Sequence, residues 1–100
     1  MTIVEISITP LGTADTGVSG YVAGCLKVLR ESHLKHQLTP MGTIIEGDLD
    51  EIFPVIRRMV EAPFLAGAAR VSTLVKIDDR RDRPRHSMEG KVRAVEKLLP

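Results

Sequence analysis

Four short stretches of this chain alternate apolar and polar side chains, and two stretches with helical spacing separate them, which leaves few ways to bury every apolar face at once. From Thr2 to Thr9, Val4, Ile6 and Ile8 stand on one side and Glu5, Ser7 and Thr9 on the other. That is the period of a strand with a single apolar face. His36 to Thr39 and Thr43 to Glu46 are two shorter strand-like runs, and Pro40, Met41 and Gly42 between them read as a hairpin. Val71, Thr73, Val75 and Ile77 alternate with Ser72, Leu74, Lys76 and Asp78 as a fourth strand.

The intervening segments carry helix signals. After the turn-rich stretch PLGTADTGVSG, Ser19 is a candidate N-cap for a helix running to about His33, with Val22, Cys25, Leu26 and Leu29 as its buried stripe. Asp48 followed by Glu51 reads as a capping box for a helix carrying Ile52, Val55, Ile56, Met59 and Val60. Pro54 is tolerated only near that helix's start, which allows a first turn later than Asp48, and the segment APFLAGAAR, with Pro63 and Gly67, should end it. The charged run DDRRDRPRH reads as a solvated loop. Ser87 then caps a last helix with Val92, Val95, Leu98 and Leu99 as its apolar residues, weakened by Gly90 by about 1 kcal/mol relative to alanine.

The order is therefore β-α-β-β-α-β with an appended helix, the pattern of an α+β, ferredoxin-like sandwich in a single domain spanning residues 1–100. Its antiparallel four-stranded sheet has the spatial order 4-1-3-2. The first two helices cover one face, and the other face is left open.

Composition narrows the functional classes. Fourteen basic residues against 13 acidic ones make no phosphate-tracking surface, and with no Trp, one Tyr and two Phe there is no aromatic platform for bases, so nucleic acid is not expected as a partner. Cys25, the single cysteine, sits on an apolar stripe where a buried hydrophobe is needed and a thiolate disfavoured. His33, His36 and His86 fall at element ends or loops without a partner at catalytic or metal spacing, and read as surface residues. No metal and no cofactor is expected. A start in an alternating strand, and no apolar stretch near the roughly 20 residues a bilayer demands, point to a cytoplasmic chain with no membrane partner.

The topology suggests where a ligand would sit. Thr9 at the end of the first strand should lie near Thr43, Ser72 or Thr73, and Ser19 at a helix start, while the opposite end of the sheet gathers Glu5, Glu46, Lys76 and Asp78. Glu5 on a central strand must face the open side, together with Ser7, because an unpaired carboxylate under the helices is costly. Ile3, Ile44 and Leu74 would make that face a partly apolar patch of the kind that marks an interface. Ser19, Thr43, Glu46, Thr9, Glu5, Ser7 and Asp78 are thus the candidate ligand-binding residues. Ser19 reads most simply as a plain helix cap and Asp78 as part of a self-neutralising surface run through Arg83, while Glu46 reads equally as a solvated edge carboxylate. No nucleophile, acid/base pair or metal cluster stands out, so binding is favoured over catalysis. The alternatives are an interaction or regulatory module that oligomerises through its open sheet face, and an enzyme for a phosphorylated metabolite using Ser19 with Arg70 or Lys76.

PLGT at 10–13, the helix start at Ser19, PMGTIIEGD at 40–48, RVSTLVKIDDRRD at 70–82 and KVRAVEK at 91–97 together resemble the thiamine-binding family related to YkoF, the MTH1187-like proteins, formerly an uncharacterised UPF0045-type family. The resemblance implies a ferredoxin-like fold, homo-oligomers (dimers or tetramers) assembled through the sheets, and binding of thiamine or its hydroxymethylpyrimidine portion without catalysis. A pyrimidine needs a flat, partly apolar slot with hydrogen-bond partners at its edge, whereas a thiazolium cation is favoured near a carboxylate.

Overall fold

The computed structural model describes residues 1–83 and 86–100; Pro84 and Arg85, in the charged run read as a solvated loop, lie outside the described residues. Seven elements follow one another: β1 (Thr2–Leu11), α1 (Ser19–Ser32), β2 (Lys35–Thr39), β3 (Gly42–Gly47), α2 (Leu49–Leu65), β4 (Arg70–Asp79) and α3 (Met88–Glu96). The strands form one antiparallel sheet in the order β2-β3-β1-β4, the ferredoxin-like arrangement expected from the pattern.

Register sets the two faces. Val4 lies opposite Ile45 on β3 and Ile77 on β4, and Ile6 opposite Thr43 and Val75, so these residues share the face under α1 and α2. Val4, Ile6 and Ile45 meet Cys25 and Leu29 of α1 and Ile52, Val55, Ile56 and Met59 of α2 in the core. Each fully buried aliphatic side chain there contributes about 1.5–3 kcal/mol. Glu5 faces the opposite side, as the desolvation argument requires. β1 pairs with β4 along its whole length but with β3 only from Thr2 to Ile6, so its second half runs past the β2-β3 hairpin.

Two local expectations are corrected. Val18, not Ser19, is the N-cap of α1, and Ser19 is an exposed first-turn residue. Asp48 does occupy the N-cap of α2, but its side chain makes no cap hydrogen bond. α2 ends at Leu65, inside the segment expected to end it, with Pro63 still within its last turn. A proline lacks the N–H that would bond the carbonyl four residues back, here that of Met59. The Cys25 thiol fills the gap, donating to the Met59 carbonyl at 3.4 Å. Burial pushes that thiol's pKa up, which is the reverse of what a nucleophile requires.

Cys25→Ala is therefore expected to destabilise the fold by about 1–3 kcal/mol, the range for a buried carbonyl left unpaired. Cys25→Ser, which keeps a donor, should lose less than Cys25→Ala does. Urea unfolding of the three proteins checks the order; equal losses would mean that the thiol acts through its volume alone.

The third helix departs most from the sequence reading. Its N-cap is Ser87, as expected, and the hydroxyl accepts from the Gly90 N–H at 3.0 Å. A Cβ on Gly90 would stand 3.0 Å from that hydroxyl oxygen, so the glycine leaves room for the cap while weakening the helix. Val92, Val95, Leu98 and Leu99, read as its apolar stripe, are exposed in the single chain, and Leu98 and Leu99 lie beyond the helix end. Only Met88 is buried. Among the described residues no helix is long and apolar enough to cross a membrane.

Candidate functional site

The face turned away from α1 and α2 is not fully open, because α3 is held against one end of it by polar side chains from three strands. Glu46 on β3 is the deepest of these, only 6% exposed, and its Oε1 accepts the Met88 N–H at 2.8 Å. The carboxylate thus satisfies one of the orphan donors of the helix start and faces the positive end of its dipole. Lys35 on β2 bridges Glu46 Oε2 at 3.1 Å and Glu89 Oε2 at 2.6 Å. On β4, Asp78 Oδ2 receives both the Lys91 ammonium and His86 Nε2, the latter at 3.1 Å.

These contacts correct three readings. Glu46 is not a solvated edge carboxylate. His86 is not a surface residue but is buried against Asp78. Asp78 leaves the charged run, in which Arg80 pairs with Asp82 and Arg81 with Asp79, to anchor α3 instead.

Asp78 is held below its ordinary carboxylate range, first by Lys91 and then by His86, and Glu89 is lowered chiefly by Lys35. A carboxylate with a depressed folded-state pKa contributes its stabilisation above the ordinary range and loses it as pH falls through the depressed value. Docking of α3 should accordingly be constant from neutral pH to about pH 4 and weaken below it. Because both carboxylates are solvent-accessible, salt should weaken docking too. Amide exchange in α3 as a function of pH and salt reads this out, and protection that survives at pH 3 would contradict it.

Between α3 and the sheet lies a groove of about 670 Å³. Ile3 and Ile44 form an apolar floor, Val92 lines it from the helix, and Glu5, Lys76 and Gln37 bring polar groups from three strands. Its size is within the roughly 300–1,000 Å³ of small-molecule sites. Glu5 stands opposite Lys76 and Ile44 in register, yet among the described residues its carboxylate has no hydrogen-bond or ion-pair partner. A second recess, of about 230 Å³, lies where β1 outruns β3, between that strand, α1 and the hairpin. It falls below the usual range for a vitamin-sized ligand.

The structure therefore divides the residues chosen from the sequence. Glu5 and Asp78 line the groove, and Glu46 anchors the helix that closes it. Ser7, Thr9 and Thr43 line the smaller recess, with Thr43 facing the helices and buried. Ser19 lines neither. The groove residues on α3, Lys91, Val92, Arg93 and Glu96, were missed; Ser87 signalled the helix, but nothing local signalled which face it would lie on. Among the described residues no cluster of His, Cys, Asp or Glu is arranged to hold a metal ion.

Comparison with known proteins agrees with the fold. The profile of the family described as Thiamine-binding protein matches residues 4–96. UPF0045 protein YqgV of Bacillus subtilis is 46% identical over 103 residues, covering 99% of this chain and 98% of that protein. A UPF0045 protein of Methanothermobacter thermautotrophicus is 39% identical over 100 residues, covering 99% of this chain and all of its own. The crystal structure of hypothetical protein MJ1052 from Methanocaldococcus jannaschii superposes with a TM-score of 0.85 at 36% identity, covering 97% of each chain. With one family profile spanning nearly the whole chain and relatives this similar along their full length, the chain belongs to the thiamine-binding protein family.

Proposed function

We propose that this chain binds thiamine or its hydroxymethylpyrimidine portion in the groove between the sheet and α3, in the cytoplasm and without catalysing a reaction. The observation that carries the reading is Glu5, a carboxylate with no partner among the described residues, beside the apolar floor of Ile3 and Ile44. A planar heterocycle lies on such a floor, and the Gln37 amide can donate and accept at its edge. A cationic ring is drawn to Glu5, whose charge is not already spent on Lys76. The family supports the same ligand class.

Asp78 and Glu46 enter this site indirectly, because their charges are engaged by α3 and by Lys35. The binding reading therefore assigns cation recognition to Glu5 and places the other two as supports of the groove wall.

Isothermal titration with thiamine and with hydroxymethylpyrimidine tests the proposal, alongside native mass spectrometry of the protein as purified. Heat of binding with a rise in thermal midpoint is expected for both. No heat and no shift at millimolar ligand, in protein shown to be folded, would sink it.

A further inference from the structure

We infer that the groove takes the phosphate monoester of its cationic heterocycle in preference to the free alcohol, with the ester lying against Lys76; this rests on the groove binding thiamine and adds which form it takes. On the side of the sheet facing α3, one row of residues crosses all four strands: Gln37 on β2, Ile44 on β3, Glu5 on β1 and Lys76 on β4, each directly opposite the next. All four line the groove. Adjacent strands stand about 4.8 Å apart, so the row measures about 14 Å from end to end.

The neighbouring row, nearer the start of α3, runs Lys35, Glu46, Ile3 and Asp78, and its charges are all engaged. Lys35 bridges Glu46 and Glu89, while Asp78 holds Lys91 and His86. The N-terminus of α3, otherwise a place for an anion, is occupied by the Glu46 carboxylate. In the row that crosses the groove the charges are free. Among the described residues Glu5 and Lys76 make no ion pair with each other or with any other group, although unlike charges directly opposite attract. A floor that keeps a carboxylate and an ammonium side by side and unpaired suits a ligand carrying both signs. Arg93 and Glu96 on the α3 wall lie three residues apart and balance one another in charge, which leaves Lys76 as the cation for an anionic group.

The order along the row matches the order of groups in one molecule. Starting from β2, it offers an amide for the edge of a pyrimidine, an apolar surface for that ring, a carboxylate for a thiazolium and an ammonium for the end of the hydroxyethyl arm. A free hydroxyl there gives the ammonium one neutral hydrogen bond and leaves it beside the ring cation, which it repels. A phosphate monoester gives it a charge-assisted bond and neutralises it. Hydroxymethylpyrimidine phosphate differs, because its ester takes the place of the thiazolium. That ester reaches Glu5, not Lys76, and gains nothing.

The test is calorimetric titration, in phosphate-free buffer, with thiamine, thiamine monophosphate, hydroxymethylpyrimidine and hydroxymethylpyrimidine phosphate. Wild type should hold thiamine monophosphate about tenfold more tightly than thiamine, and hydroxymethylpyrimidine phosphate no more tightly than hydroxymethylpyrimidine. Lys76→Gln, at an exposed position, should bring the two thiamine affinities together with an unchanged far-ultraviolet spectrum. Lys76→Arg keeps the charge and should keep them apart. Thiamine binding with no preference for its ester overturns the inference and leaves the thiamine reading standing. A preference that survives in Lys76→Gln, or an equal gain from phosphate on both compounds, overturns it as well. Absence of heat with all four ligands, in folded protein, overturns both readings together.

Discussion

Replacing Glu46 with leucine is expected to free α3 while the sheet and both core helices stay folded. The exposed pairs of Lys35 with Glu89 and Asp78 with Lys91 belong to the class worth about 0–1 kcal/mol each. The Glu46 carboxylate is different, being buried and bonded to a backbone N–H. A hydrogen bond to a charged group is worth about 1.5–3 kcal/mol, which corresponds to roughly a ten- to hundredfold change in the docked population. Since Val92 and Val95 of α3 are exposed in the single chain and only Met88 is buried, little else holds the helix down. Amide exchange in α3 should speed up by that factor, while the urea midpoint of the core, built from Val4, Ile6, Leu29, Ile45 and Ile52, moves little. Glu46→Gln keeps an oxygen for the Met88 N–H and should fall between. Unchanged protection in the leucine variant would place the anchor elsewhere.

The second large effect concerns ligand charge. Glu5→Gln removes one negative charge from the groove and preserves shape and an acceptor, so affinity for cationic thiamine should fall about tenfold, or 1.4 kcal/mol. The neutral hydroxymethylpyrimidine should bind this variant nearly as well as wild type. Glu5 is exposed until ligand covers it, and its attraction grows as water leaves, which makes the loss larger than for an open surface pair. Paired titrations of both ligands against both proteins decide the matter. Equal losses would show that Glu5 packs against the ligand without sensing its charge.

What the sequence made legible was whatever depends on local periodicity. Alternation placed all four strands within two residues of their ends, and the cost of burying Glu5 put it on the correct face. Ser87 was readable as a cap because its partner, Gly90, is three residues away. Glu46 was not readable as an anchor: its partner is a backbone N–H, 42 residues distant, which no side-chain pattern displays. His86 and Asp78 are eight residues apart across a charged loop, and the loop's composition suggested solvent where the fold supplies a contact. Val92, Val95, Leu98 and Leu99 were readable as apolar residues of a last helix, but periodicity reports a face and not what covers it. The Cys25 bond to the Met59 carbonyl was not readable either, because the thiol comes from another helix.

The long ladder between β1 and β4 joins residues 2–11 to residues 70–79, with Thr2 and Asp79 in contact across 77 positions. On a ribosome, the first strand emerges early and then waits without its principal neighbour while α1, the hairpin and α2 are made. Its apolar side must meanwhile be sheltered by β3 and the two helices, and its second half, which β3 does not reach, by nothing in the nascent sheet. High sequence separation of this kind slows folding, since the entropy of closing the loop is spent before the contacts that reward it. A chain stalled or cut before Arg70 therefore has its core elements yet presents a bare edge on the strand that β4 covers along its whole length.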